Sequence, residues 1–253
     1  MNNSCIFLII MIIIILILCI KPCIKSVNQR FTNTQKNIDK IYVINLKKNK
    51  DRLDIFMERA KEANVIVERF DAVNGKELSE NDPYIQKYFV KDINLNPGQI
   101  GCALSHIKIW EDAIKNNYKN IIVFEDDAII PNNFWDRLNE SYKALPYNWD
   151  MLLLGGTNLG GTIYNDFLLK PSNKSNNWGT FAMLININFI KKIIKEIKLN
   201  TTIDDYLINN YYYNKKFKIF FVKNTIIEVD FSFTSDIGVV ASGKNNPIVI
   251  HNN

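Results

Sequence analysis

The chain predicts an α/β sandwich, on three observations. Short apolar runs of strand length alternate with segments whose apolar residues recur at helical spacing. The first run at 41–46, a helix from Asp51 and a second run at 65–70 have the order of a β-α-β unit, which favours parallel strands and a right-handed crossover. No internal repeat or low-complexity stretch divides the chain beyond its apolar N-terminus, so one domain is expected.

The elements can be justified in order. Residues 41–46 (IYVINL) are apolar and bounded by turn formers. In the next segment Asp51 is expected to cap a helix in which Leu53, Phe56, Met57 and Ala60 share a face. The clearest start signal lies at Asn96, Pro97 and Gln99, an N-cap, a first-position proline and a capping-box partner. Behind it Ile100, Ala103, Leu104, Ile107, Ala113 and Ile114 form a buried stripe, with Ser105 and His106 flanking it. Strands are expected at 121–124, ending in Glu125-Asp126-Asp127, at 151–154, ending in Gly155-Gly156, at 181–187 and at 216–222. An amphipathic helix is expected at 189–198, and 162–177 reads as a polar loop.

Composition narrows the class further. The 253 residues are 47% hydrophobic, 23% charged and 12% aromatic, which excludes a disordered chain, a collagen-like repeat and a disulfide-dense miniprotein. The net charge of +5 is spread along the chain and forms no basic stripe, so no nucleic-acid partner is expected. Cys5, Cys19 and Cys23 lie in or beside the apolar N-terminus and Cys102 is alone in the body. That leaves no internal disulfide and no metal-type cysteine pair.

Residues 5–20 are uninterrupted apolar side chains, about 24 Å of helix against a hydrocarbon core of roughly 30 Å. The start carries no basic side chain, and Lys21-Pro22-Cys23 is no small-residue cleavage site. The expectation is an uncleaved single-pass anchor at 1–24, a polar stalk at 25–40, the domain at 41–240 and a tail at 241–253. Lys21, Lys25 and Arg30 after the span would place the domain on the cytoplasmic side.

In open α/β sheets ligands bind at the carboxyl ends of strands, so the polar residues that end the strands are the candidates. Three adjacent carboxylates at 125–127 repel one another and call for a cation or full solvation. Hard divalent ions, Mn²⁺ or Mg²⁺, take such oxygen ligands and share their shell with phosphates. In extended backbone Glu125 and Asp127 would point one way and Asp126 the other. Asp204-Asp205 is a second acidic pair, at an expected helix start, and Asp236 a third acidic position near the C-terminus.

These pieces together resemble glycosyltransferase family 25. The resemblance is carried by Ile44-Asn45-Leu46 with Asp51-Arg52, by Phe70-Asp71-Ala72-Val73-Asn74-Gly75, by residues 97–106 (PGQIGCALSH) with Trp110, and by Phe124-Glu125-Asp126-Asp127. Trp149-Asp150, Gly179-Thr180, Ile203-Asp204-Asp205-Tyr206-Leu207 and Ser235-Asp236-Ile237 come after these in the family's order. Gln99 stands where the family commonly has Glu, and Phe181-Ala182-Met183 replaces a strand that usually contains Tyr.

The resemblance implies a GT-A-type, Rossmann-like fold that binds a nucleotide sugar, and transfer of a hexose from a UDP-sugar, galactose or glucose, to a hydroxyl with inversion. It implies that Glu125, Asp126 and Asp127 hold Mn²⁺ or Mg²⁺, with Asp127 the most direct ligand. Asn45, Leu46, Arg52, Gly98, Gly101, Ser105 and His106 would be the nucleotide-side residues, and Asp205 or Asp204 the base, with Asp236 in reserve. The acceptor would be a glycan, a lipid-linked sugar or a protein hydroxyl, and the lumenal side of a membrane is the one the resemblance favours. Two other readings share these residues: a catalytically inactive, membrane-anchored carbohydrate-binding or assembly protein of the same fold, and another metal-dependent phosphoryl or nucleotidyl transferase.

Overall fold

A computed structural model describes residue 11 and residues 34–79, 81–172 and 177–234. The expected anchor apart from residue 11, the stalk before residue 34, the tail and Asp236 lie outside the described residues. Among the described residues no helix is long and apolar enough to cross a membrane. Within the segment assigned to the stalk, Thr34 is buried, and its hydroxyl donates to Asn139 Oδ1 at 2.6 Å.

The first strand, β1 (Lys40–Asn45), leads into helix α1 (Lys50–Glu62) and back to β2 (Glu68–Asp71). β1 pairs in parallel with β2. After a short helix, α2 (Pro83–Tyr88), and the long α3 (Pro97–Lys115), the chain enters β3 (Asn120–Glu125), which lies parallel to β1 on its other side. Two departures from β1 in opposite directions open a crevice at the carboxyl ends of β1 and β3, where an open sheet places its ligands.

Downstream of β3 run β4 (Ala128–Ile129), α4 (Phe134–Lys143) and β5 (Met151–Thr157). Next come a hairpin of β6 (Gly161–Ile163) and β7 (Leu168–Pro171), then β8 (Trp178–Asn186), α5 (Ile187–Ile193), α6 (Ile203–Leu207), β9 (Ile219–Val222) and β10 (Glu228–Val229). The large sheet has the order β2-β1-β3-β8-β5-β9-β7-β6, and β4 and β10 form a separate ribbon.

The sheet is mixed rather than parallel throughout, because β8 runs antiparallel to both β3 and β5. That orientation brings the start of β8 beside the end of β3. Other boundaries also move. Asp51 does not cap α1, since the helix begins at Lys50 and places Asp51 inside its first turn. The 162–177 region contains strands, not a loop alone. Asn96 and Gln99 form the reciprocal capping box expected of them.

β1 and β3 read as continuous apolar runs because both faces of the sheet are covered. Tyr42, Ile44, Ile121 and Val123 pack with Leu104, Ile107 and Trp110 of α3 and with α5 and α6. Their neighbours Ile41, Val43, Ile122 and Phe124 pack with Phe56 and Ala60 of α1 and Phe134 and Leu138 of α4. Ser105 and His106 do not flank this packing but sit inside it, both wholly buried.

Candidate active site

An open cleft lies at the carboxyl ends of β1 and β3. Its walls are the residues after β1 (Leu46, Lys48, Asn49), Arg52 of α1, the 72–76 loop after β2, the first turns of α3 (Gly98, Cys102) and the acidic triplet.

The triplet is held unequally. β3 ends at Glu125 and the chain turns through Asp126 and Asp127, so the alternation of an extended strand stops there. Asp126 is buried. Its Oδ2 accepts from Asn45 Nδ2 at 2.7 Å, and its Oδ1 pairs with Arg52 Nη2. The same Arg52 nitrogen lies 3.2 Å from Asp127 Oδ2. Asn45 is itself oriented by Arg69, whose Nε donates to Asn45 Oδ1 at 2.9 Å. Arg69 also donates from Nη2 to Asp71 Oδ1 at 2.7 Å.

Asp127 Oδ1 is buried and has no hydrogen-bond partner among the described residues. Burial, reinforced by the charge of Glu125, pushes the Asp127 carboxyl up to about 7 against the pull of Arg52. Glu125 moves the other way. Burial opposes its charge, but contacts from His106 and Thr180 outweigh it and hold the carboxyl below its usual range. Thr180 Oγ1 donates to Glu125 Oε1 at 2.9 Å, and His106 Nε2 lies 3.3 Å from the same oxygen. Thr180 can make that contact only because β8 starts beside the end of β3.

Glycine geometry explains the opposite wall. A Cβ on Gly101 would stand 2.4 Å from Val73 O, and one on Gly75 would stand 1.7 Å from Pro97 O. The 73–75 loop and the start of α3 are therefore in backbone contact. Ser105 bolts them together: its hydroxyl accepts from Val73 N–H at 2.9 Å and donates to Gly101 O at 2.7 Å. Gly98 lines the cleft, whereas Gly101 is spent on packing against the loop.

Asp204 accepts from Gly179 N–H at 3.4 Å, which places it at the start of β8 and so at the same edge of the sheet as Glu125. Asp205 faces Thr201, whose hydroxyl lies 3.5 Å from Oδ2. Burial first, then the neighbouring Asp204, raises the Asp205 carboxyl.

The structure thus gathers Leu46, Arg52, Gly98, Ser105 and the triplet around one cleft, with Asn45 behind Asp126, His106 behind Glu125 and Gly101 behind the loop, whereas Asp204 and Asp205 are not among its lining residues. It adds Lys48, Asn74, Lys76, Cys102 and Thr180, which strand-end reasoning passed over. The loop after β2 carried a signal in the Phe70–Gly75 motif. Lys48 carried none, one lysine among several in a polar stretch.

Fold and cleft define an α/β domain with an acid-floored, cation-rimmed cleft at a topological switch point. The family model for glycosyltransferase family 25 (LPS biosynthesis protein) matches residues 38–208, and the chain belongs to that family. It is 30% identical over 134 residues to the inactive glycosyltransferase 25 family member 3 of Homo sapiens, covering 46% of this chain and 22% of that protein. It is 29% identical over 134 residues to procollagen galactosyltransferase 2 of Mus musculus, covering 46% and 20%. A glycosyltransferase 25 family member of Aedes aegypti is 25% identical over 206 residues, covering 74% and 33%. The chain therefore spans only a fifth to a third of the length of these relatives.

Proposed function

We propose that this domain transfers a hexose, galactose or glucose, from a UDP-sugar to an acceptor hydroxyl with inversion, on a GT-A-type fold, using a divalent cation at Glu125 and Asp127. The observation that carries this reading is one cleft at the ends of β1 and β3 in which three carboxylates meet Arg52, Lys48 and Lys76. A diphosphate has use for the cations, and the carboxylates have use for a metal.

The residues present fit Mn²⁺ or Mg²⁺. Asp127 Oδ1 is buried and, among the described residues, has no hydrogen-bond partner, and after burial the charge of Glu125 is what raises the Asp127 carboxyl. A hard oxygen-seeking ion relieves that opposition. Asp126 adds its charge to that opposition, but Asn45 and Arg52 already hold its two oxygens, which leaves Glu125 and Asp127 as the proposed ligands. Bound there, the ion supplies Lewis-acid stabilisation of the leaving diphosphate.

The chain's own groups do the rest. Arg52, with Lys48 and Lys76 nearby, sets positive charge where the diphosphate gains negative charge. Asn45, fixed by Arg69, keeps Asp126 and hence Arg52 in place. Ser105 and the two glycines hold the nucleotide-side wall. Asp205 and Asp204 are the candidate bases; the burial that raises Asp205 gives it a stronger hold on a hydroxyl proton. The acceptor is a glycan, a lipid-linked sugar or a protein hydroxyl, presented to a domain tethered to a membrane by residues 1–24.

A second reading, binding without turnover, draws on the ion pairs of Arg52 with Asp126 and Asp127, which neutralise part of the triplet without metal. Incubation with UDP-galactose or UDP-glucose and Mn²⁺ separates the two. Release of UDP that Asp127→Asn abolishes supports transfer. Donor binding with no UDP release supports the second reading, and neither binding nor release from a panel of nucleotide sugars overturns both.

A further inference from the structure

We infer that Cys102, His106 and Glu125 form a second cation site, selective for borderline-soft ions of the zinc class and distinct from the oxygen site at Asp127. A sulfur atom, an imidazole nitrogen and a carboxylate oxygen from these residues all lie within 4.8 Å of one another. Cys102 and His106 stand four residues apart on α3, so their side chains share one face of the helix. Glu125 reaches them from the end of β3. This donor set is the mixed S, N, O kind that zinc accepts and that magnesium does not seek.

Distances favour a shared ion over a simple hydrogen bond. His106 Nε2 and Glu125 Oε1 are 3.3 Å apart, long for a charge-assisted hydrogen bond, whose usual range is about 2.7–2.9 Å. Two ligands bound at about 2.05 Å on a tetrahedral ion stand about 3.3 Å apart. The carboxylate is already oriented by the Thr180 hydroxyl, as metal-bound carboxylates are. His106 is wholly buried, and its Nδ1 has no partner. The Nε2 contact with Glu125 is therefore the only hydrogen bond this ring makes among the described residues. Cys102 and Glu125 both line the cleft, which gives the ion an entry path and a fourth position open to water.

Glu125 would then serve either site but not both at once, so a zinc-class ion would compete with Mn²⁺ for this carboxylate. The binding claim itself does not depend on the transferase reading.

The test is cobalt substitution on the full-length chain in detergent, followed by zinc competition. The wild type is expected to develop a thiolate-to-cobalt charge-transfer band that Zn²⁺ displaces. Cys102→Ser should abolish the band, and His106→Gln should weaken Zn²⁺ binding at least tenfold. Replacing Cys5, Cys19 and Cys23 together by serine should leave the band in place. Melting curves verify that Cys102→Ser is folded; Cys102→Ala serves if it is not. Absence of the band in the wild type, its persistence without Cys102, or its loss with the three N-terminal cysteines each overturns the proposal.

Discussion

Arg52 and Asp126 form an ion pair between the first turn of α1 and the turn that closes β3, and Arg52 touches Asp127 with the same nitrogen. From the other side Phe233 lies 5.3 Å from the guanidinium carbon, and Thr234 O accepts from Arg52 Nη1 at 3.4 Å. The β4–β10 ribbon pairs Val229 with Ala128, and Asp230 N–H donates to Asp127 O at 2.8 Å. The segment after β10 is thus tied directly to the triplet, and it holds Arg52 over the acids it neutralises.

Replacing Arg52 leaves Asp126 and Asp127 in mutual repulsion in a mostly buried place. Arg52→Gln is expected to cost about 3 kcal/mol, the size of breaking one partner from a buried pair. Arg52→Lys should recover part of this, because a single ammonium cannot reproduce the guanidinium fork. Chemical denaturation of the three proteins measures the order; equal midpoints for wild type and Arg52→Gln would show the pair to be energetically idle.

Gly101→Ala tests the wall of the cleft. The added methyl would press on Val73 O and, at 2.9 Å, on Gly75 N. Backbone cannot swing aside as a flexible side chain does, so a loss of about 1–3 kcal/mol is expected. The 73–75 loop should also move off α3, raising the KM for donor more than it lowers kcat. A variant with wild-type melting temperature and KM would show that the loop has room to yield.

How much of this was legible in the sequence depends on how local the signal was. The start of α3 was plain at Asn96, Pro97 and Gln99, because all three act within one helical turn. The apolar runs of β1 and β3 were plain because both of their faces are buried. The antiparallel placement of β8 was not, since pairing between Phe124 and Ala182 leaves no mark in either segment alone. The same holds for the site. Adjacent carboxylates at a strand end are visible as a string of letters. Their unequal fates, Asp126 saturated by Asn45 and Arg52 and Asp127 left with a bare oxygen, come from contacts between residues far apart in the chain.

Asp230 gives a pH dependence. Hydrogen bonds from Ser232 and then Arg59 depress its carboxyl to about 2, below the roughly 3.9 of an unfolded chain. A depressed carboxyl contributes stability that is complete above the unfolded value and is lost as pH falls through the folded one. The loss should therefore run from about pH 4 to pH 2. Solvent access to the Arg59 pair limits the contribution to about 1 kcal/mol. Asp230→Asn should lose that amount at pH 7 and converge on the wild type near pH 2, in urea titrations at each pH. Parallel curves across the range would refute the linkage.

Asp127→Asn should separate stability from function. In the wild type the side chain carries a carboxyl whose buried Oδ1 has no partner among the described residues and whose charge burial and Glu125 oppose. Asparagine keeps the shape and removes that charge, so at pH 8 without metal the variant is expected to be more stable by about 1–2 kcal/mol. The same change removes the negative charge proposed to hold the divalent ion and leaves one neutral amide oxygen in its place, so UDP release with Mn²⁺ should fall to background. Stability gained while turnover is lost is the signature of a group placed for a ligand rather than for the fold. Denaturation midpoints and UDP release on the same preparations test both halves. A variant that is less stable than the wild type and still turns over would place the cation elsewhere.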